Sequence, residues 1–468
     1  MLDLLLVLGV AFAVYYVSVM RRFGILNANA LFVYIQMIMA IGTFASLEPS
    51  LPSDTVYGYV VLVSMIGYFI GSGLVLAAGA RRPVAHQRLR AVRPLPAVWA
   101  LVALSCLIIV LYYSAVGYSA LFEGLKNSLS GGQADIAGAR LDSYSGDRYL
   151  YPGYVNQFKN AILPGLLLVI FVYWRRERQS HVVLGASLVA IALFGILGTG
   201  QRGAFIQFLV VAAYFLYLMN GRNLPRRSWL ILPAGLVFML TSTVALGRSN
   251  TLLGQDASVV DRIWIAGREL GSRVFQVQQE SAVAGFRYIY EQPIQWGAEW
   301  ARGLLGILPG SPGTDLPNRI YQMLYGTDRG TAPPSVWGSI YHNFGWGGIV
   351  IVPVVLGALV ALVSLRSMDG SVRGSLEAVG VAGVSTSIGF WAAGGPESLL
   401  NTGLVTYAVL WLWGRRQAAS AHADVSPETL EPDAGQRSIS SSPVRPRAPH
   451  GHRSSEPRGH RGATSPRT

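Results

Sequence analysis

Three sets of residues in this chain are suited to handling a phosphate and a proton. The first is Arg202, in the run Gly198, Thr199, Gly200, Gln201, Arg202, Gly203 between two apolar stretches. Glycines there let backbone N–H groups approach an anion, and a guanidinium binds phosphate through paired hydrogen bonds. The second is His342, followed by Asn343, Phe344 and Gly345. An unperturbed imidazole titrates near neutrality, so His342 can donate or accept a proton at a membrane surface. The third is the set of arginines in residues 247–344, namely Arg248, Arg262, Arg268, Arg273, Arg287, Arg302, Arg319 and Arg329. Asp256, Asp261, Glu269, Glu280, Glu291, Glu299, Asp315 and Asp328 balance them.

The elements that must position these residues follow from the distribution of apolar side chains. The chain has 468 residues, of which 51% are hydrophobic and 13% charged, and its charges crowd between long uncharged runs. That alternation is the signature of an all-α polytopic membrane protein. Spans of about 20 residues are expected at 2–20, 28–47, 56–79, 95–117, 155–174, 182–200, 204–219, 229–246, 345–365, 376–395 and 399–413. This makes about eleven transmembrane helices. The first, ending at Arg21 and Arg22 without a cleavage site, reads as a retained anchor with the amino terminus outside.

Strict alternation then puts Arg81, Arg82, Arg88, Arg90, Arg93, Arg175, Arg176, Arg178, Arg222, Arg226, Arg227, Arg366, Arg373, Arg415 and Arg416 on the cytoplasmic side. Arg202 is the arginine of the short outer turns. Short outer connections normally avoid arginine, so at Arg202 a functional role outweighs snorkelling to lipid headgroups. The organisation is therefore residues 1–246 as eight spans with an outer loop at 118–154, 247–344 as a large extracytoplasmic loop between spans 8 and 9, 345–413 as three spans, and 414–468 as a disordered cytoplasmic tail rich in Ser, Pro and Arg. The large loop should be mostly helical. From 259 to 291 Arg262, Glu269, Arg273, Glu280, Arg287 and Glu291 fall within a ~40° stripe of one ideal helix, with i,i+4 pairs Glu269 with Arg273 and Arg287 with Glu291. A self-neutralising solvated face accounts for Arg262, Arg287 and the glutamates; Arg268 lies off the stripe.

Other classes are excluded. The net charge of +13 comes without a basic, aromatic-interleaved soluble module, so nucleic acid is not a partner. Cys106 is the single cysteine and leaves no disulfide or thiolate metal site. No His, Asp and Glu grouping has metal-ligand spacing, so no metal and no cofactor is expected. No repeat or inverted pair of interrupted spans marks a transporter core, which weakens the transporter reading without removing it.

Three features make the chain resemble the bacterial O-antigen and repeat-unit polysaccharide polymerases, the Wzy-type family, and more distantly the O-antigen ligases. They are the arginine turn at 199–203, the large outer loop late in the chain, and Pro334 and Ser335 followed by Tyr341, His342, Asn343, Phe344 and Gly345 with Gly347 and Gly348. The resemblance covers residues 150–410, by pattern more than identity. Related polymerases often carry a glutamate a few residues before Asn-Phe-Gly, where this chain has Gly338 and Ser339.

The resemblance implies a multi-pass glycosyltransferase of the bacterial cytoplasmic membrane. It would use polyprenyl-pyrophosphate-linked oligosaccharides as donor and acceptor in surface polysaccharide synthesis, with a chain-length regulator as a further partner. Fixed guanidinium groups can stabilise the leaving pyrophosphate without a metal. On that reading Arg202 and Arg273 bind pyrophosphate, His342 serves the acceptor, and Arg248, Arg268 and Asn343 support substrate binding, with Glu280 or Glu299 as alternatives for the proton. A ligase would share the donor. A flippase or transporter, the alternative from another class, calls for charges inside the spans and short outer loops, whereas here the charges avoid the spans.

Overall fold

The computed structural model describes residues 1–79, 89, 91–120, 122–123, 126, 152–199, 202–245, 259–308, 310–311, 313–327, 330–368, 372 and 374–423. In lipid every backbone N–H and C=O must be satisfied inside its own segment, which turns long apolar runs into helices. The first half carries α1 (Leu2–Ser18), α2 (Ala28–Ser46), α3 (Pro52–Gly79), α4 (Pro96–Val116), α5, α6 (Val182–Leu197), α7 (Arg202–Met219) and α8 (Ile231–Ala245). Helix α5 consists of Pro152–Gln157 and Leu163–Arg176 joined by a π-helical turn, Phe158–Ile162.

The large-loop region holds α9 (Val259–Ser272), a second π turn (Arg273–Val277), α10 (Gln278–Tyr290), α11 (Ala298–Leu305) and α12 (Leu316–Tyr325). The chain then forms α13 (Val336–Met368), α14 (Ser375–Gly389), α15 (Glu397–Asn401) and α16 (Leu404–Ala423). A helix covers each apolar stretch expected from the sequence, and five helices, α2, α3, α4, α5 and α13, are long and apolar enough to cross a membrane. Their neighbours present bare apolar faces: Leu2, Leu6, Val10 and Val14 on α1, and Val350, Ile351, Val355, Leu359 and Leu362 on α13 itself, are all exposed. Faces of this kind belong against lipid rather than water. The protein is an all-α membrane protein.

The centre of the bundle is α14, buried along its whole length and packed on α7, α2 and α5. The most extensive helix pairing is between α3 and α13. There a Cβ on Gly71 would lie 1.9 Å from the Val354 carbonyl oxygen, and one on Gly357 would lie 2.3 Å from that of Tyr68. Only glycine lets the two backbones meet, the small-residue packing that replaces the hydrophobic effect between helices in lipid.

Several expectations are corrected. Span nine begins earlier than residue 345, because Ser335 caps α13: its Oγ accepts the Gly338 N–H at 3.0 Å. The helix then breaks at Gly345, whose φ of 57° and ψ of −152° suit glycine alone. The single ideal helix over 259–291 is interrupted by the π turn at Arg273–Val277, which adds a residue to the turn and rotates the later charges out of the earlier stripe. Arg287 does not belong to a solvated face. It donates from Nε to Asp54 Oδ1 at 2.8 Å and from Nη2 to Asp54 Oδ2 at 2.7 Å and Glu48 Oε1 at 2.9 Å. Asp54 is buried, so this forked pair ties the loop helix α10 to the start of α3. Charges do not all avoid the apolar stretches either, since Lys159 in α5 and Glu377 in α14 are buried there. Finally, the helix expected to end at 413 continues to Ala423, through residues of high helix propensity such as Arg415, Arg416, Gln417 and Ala418. The expected tail beyond Ala423 and most of the outer loop at 118–154 lie outside the described residues.

The α3 and α13 contact makes a direct prediction. Gly71→Ala should force the helices apart and lower the melting temperature of the detergent-solubilised protein, at a cost of about 1–3 kcal/mol or more. Gly73→Ala should be close to neutral, because its Cβ would meet nothing nearer than the Tyr15 ring at 3.7 Å. Equal melting temperatures for the two variants would rule out the close packing.

Candidate functional site

The segment holding His342 is fixed from both sides. Before it, residues 333–336 run beside residues 391–395: a β-bridge joins Ser335 and Ala393, the Val336 N–H donates to the Ala392 carbonyl at 3.4 Å, and the Gly394 N–H donates to that of Pro334. Tyr57 of α3 donates its hydroxyl to Ser335 Oγ at 2.6 Å. From above, the turn between α10 and α11 closes over α13. The Gln295 N–H donates to the His342 carbonyl at 2.9 Å and the Gly297 N–H to that of Asn343 at 3.2 Å, with Gly297 at φ 85°.

His342 is therefore buried, not an open group at the membrane surface, because this turn covers the first turns of α13. Its Nδ1 is buried without a hydrogen-bond partner. Asn343 is fully buried and its amide is engaged within the chain: Oδ1 accepts the Trp300 N–H at 3.2 Å and Nδ2 donates to the Ser339 carbonyl at 3.0 Å. The Trp300 indole donates to Ser339 Oγ at 2.9 Å and meets Phe344 edge-on with ring centroids 5.1 Å apart. Gly338 and Ser339 thus serve the cap of α13 and the anchoring of Trp300.

Acids nonetheless reach this place from elsewhere in the chain. Glu299 of α11 is 5% exposed, and it accepts hydrogen bonds from Arg302 and from the Thr314 hydroxyl. Glu397, at the start of α15, accepts the Gly395 N–H at 2.8 Å. A Cβ on Gly303 would meet Glu397 Oε2 at 2.9 Å, and one on Gly395 would meet the Trp300 ring at a similar distance, so α11 and residues 394–397 are in close contact. Both carboxyls are held above the ordinary carboxylate range. Burial is the main cause for each; the Glu299 charge further raises Glu397, while for Glu299 Arg302 partly offsets the burial and Asp315 adds to it. A buried acid held in this way is a stronger base once ionised than an exposed one. Glu397 went unnoticed in the sequence, where a lone carboxylate in a short connection between apolar stretches carries no signal of its own.

The other expected site residues are distributed as follows. Arg202 opens α7 and Arg273 opens the second π turn, but their side chains, and the whole of Arg248, lie outside the described residues. Arg268 is exposed on α9, which packs on α8, whereas α11 packs on α13 and α15. The structure thus brings His342 and Asn343 together with Glu299, Arg302 and Glu397, and sets Arg268 on an element with different neighbours. Arg319 pairs with Asp315 at 2.6 Å and Arg287 with Asp54, so these two guanidiniums are committed within the chain. Among the described residues no group of three His, Cys, Asp or Glu side chains is placed to hold a metal ion. Comparison with protein-family models, curated proteins and solved structures finds no match to this chain.

The raised Glu299 carboxyl has a definite linkage sign. The folded state binds its proton more tightly than the unfolded state, so stability is greatest at low pH and falls as pH rises from the ordinary value of 4.5 through the folded one. Glu299→Gln should remove this loss. Melting temperatures followed from about pH 4 to about pH 8 should match wild type at the acid end and exceed it at the alkaline end. Parallel curves across the range would exclude a perturbed Glu299.

Proposed function

We propose that this protein is a polymerase of lipid-linked oligosaccharide repeat units, acting on the outer face of the bacterial cytoplasmic membrane. The observation that carries the reading is the acid pair of buried Glu299 and half-buried Glu397, with Arg302 and Trp300 beside His342, at one end of an apolar helix bundle. In this reading the helices over the expected stretches make eleven spans with the amino terminus outside and the carboxyl-terminal tail in the cytoplasm. The site then faces the compartment where lipid-linked repeat units are joined.

The chemistry asks for two things, and the residues suit both. The bond between the donor sugar C1 and the pyrophosphate oxygen breaks, its electron pair leaving with the lipid pyrophosphate, while the acceptor hydroxyl oxygen bonds to C1. The hydroxyl proton passes to Glu397, whose charged form is the less shielded of the pair because Glu299 is occupied by Arg302 and Thr314. Trp300 offers a flat face against which a sugar ring can pack. Arg202 and Arg273 are assigned to the leaving pyrophosphate, with Arg248 and Arg268 in support. His342 lines the acceptor side through its unpartnered Nδ1, and Asn343 is a positioning residue acting through Trp300.

A second reading, transport of lipid-linked sugars, is favoured by Lys159, a charged side chain buried inside an expected span. The two readings part in one experiment. Membranes from a strain lacking the gene are complemented with wild type, Glu397→Gln, His342→Ala or Arg202→Ala at equal expression, and glycan length on the polyprenyl carrier is measured. A ladder with wild type and single units outside with the variants supports polymerisation. Rate losses of about 100-fold or more are expected for Glu397→Gln, the scale of general acid–base catalysis. Absence of units from the outer face in the uncomplemented strain would instead favour transport, and ladders from every variant would overturn the site.

A further inference from the structure

We propose that Lys159 is a phosphate-binding residue for the lipid-linked donor, an assignment that rests on the transferase reading above. Lys159 lies on the π-helical turn Phe158–Ile162 within a helix long and apolar enough to cross a membrane, near the end that this reading places outside. Its side chain is completely buried, and Nζ donates to Thr199 Oγ1 at 3.3 Å and stands 5.4 Å from the centre of the Tyr112 ring. A long hydrogen bond and an aromatic face do not neutralise an ammonium. Among the described residues no carboxylate pairs with it. Removing an isolated cation from water is expensive, by several kcal/mol even after local relaxation. Intramembrane charges are therefore kept where a partner charge is used.

Three further observations point to an anion as that partner. Thr199, the hydrogen-bond acceptor of Lys159, is itself buried and lies in sequence directly before the run Gly-Gln-Arg-Gly, whose residue types suit a phosphate. Asn156 and Asn160 stand on the same helix at i−3 and i+1 from Lys159, and the side-chain oxygen of each is buried without a hydrogen-bond partner. An Asn amide presents either its oxygen or its N–H groups with a half-turn of the side chain, so an anion held at this turn can take donors from Asn156, one turn before Lys159. The π turn itself widens the helix where Lys159 emerges, and such turns are frequent at functional sites. A lipid-linked pyrophosphate at the outer leaflet would bring its phosphate to this depth while its isoprenoid stays among the apolar helix faces.

The test is a binding measurement that needs no turnover. Full-length protein in phosphatidylcholine nanodiscs is titrated with geranylgeranyl pyrophosphate, followed by intrinsic tryptophan fluorescence, with phosphatidylglycerol as competitor. Lys159→Met should weaken binding at least about tenfold, the loss of a charge-assisted hydrogen bond, while Lys159→Arg retains much of it. Should Lys159→Met not fold, Lys159→Gln takes its place. A purely structural lysine predicts unchanged binding together with a raised melting temperature, and that pair of results would overturn the proposal while leaving the transferase reading intact. Equal displacement by phosphatidylglycerol would make this a phospholipid headgroup site and overturn the donor assignment. Absence of binding by wild type would count against the transferase reading itself, and the Lys159 assignment would go with it.

Discussion

The direct meeting of the α3 and α13 backbones is the constraint on which the rest of this structure hangs. Gly71 and Gly357 put each helix against the other's carbonyl oxygens, at a separation no side chain allows. Because α13 also carries His342 and Asn343 before its break at Gly345, the position of the site along the membrane normal is set by this contact. The start of α3 then holds the neighbouring elements to the same reference: Tyr57 bonds Ser335 at the cap of α13, and Asp54 holds Arg287 of α10. One helix pair thus indexes the bundle, the cap and the loop helices together.

Around that frame the polar chemistry is sparse and buried, as lipid demands. Glu299 is satisfied by Arg302 and Thr314, Asn343 by Trp300 and Ser339, and Arg287 by two acids, so most buried polar groups are spent on architecture. Against this background the unsatisfied atoms include Nδ1 of His342 on α13 and the amide oxygens of Asn156 and Asn160 on α5, with others on further helices, such as Ser64 Oγ and Gln279 Oε1. At His342 and on α5 a substrate can add hydrogen bonds to groups that have none at these atoms.

The helices were legible in the sequence because apolar runs near the length of a bilayer speak for themselves, and so were His342 and Asn343, which stand in a compact motif. What remained hidden depends on partners far apart in the chain. The Arg287 and Asp54 pair links residues with no local pattern between them, and an i,i+4 partner at Glu291 offered a plausible but wrong local explanation. Glu397 joins Glu299 only because residues 391–395 run beside 333–336. The π turns escaped for another reason: their sequences, Phe158–Ile162 and Arg273–Val277, read as ordinary helix, and only tertiary contacts reveal the added residue.

The π turn at Arg273–Val277 also bears on how this chain can change length. A turn that already carries one surplus residue can lose it and simply close into regular helix. Deleting one codon there would leave a continuous helix from α9 to α10 and, because the wider turn has already taken up the surplus residue, would keep the later side chains close to their present directions. Arg287 would still face Asp54, and the disturbance would stay local, at the close approach of Gly42 to the Phe275 carbonyl, where a Cβ would stand 2.2 Å away. The same deletion in the regular helix of α10 would turn every side chain beyond it by about 100°. In descendants of this gene, single-residue deletions should therefore be found within 273–277 sooner than in the helices on either side.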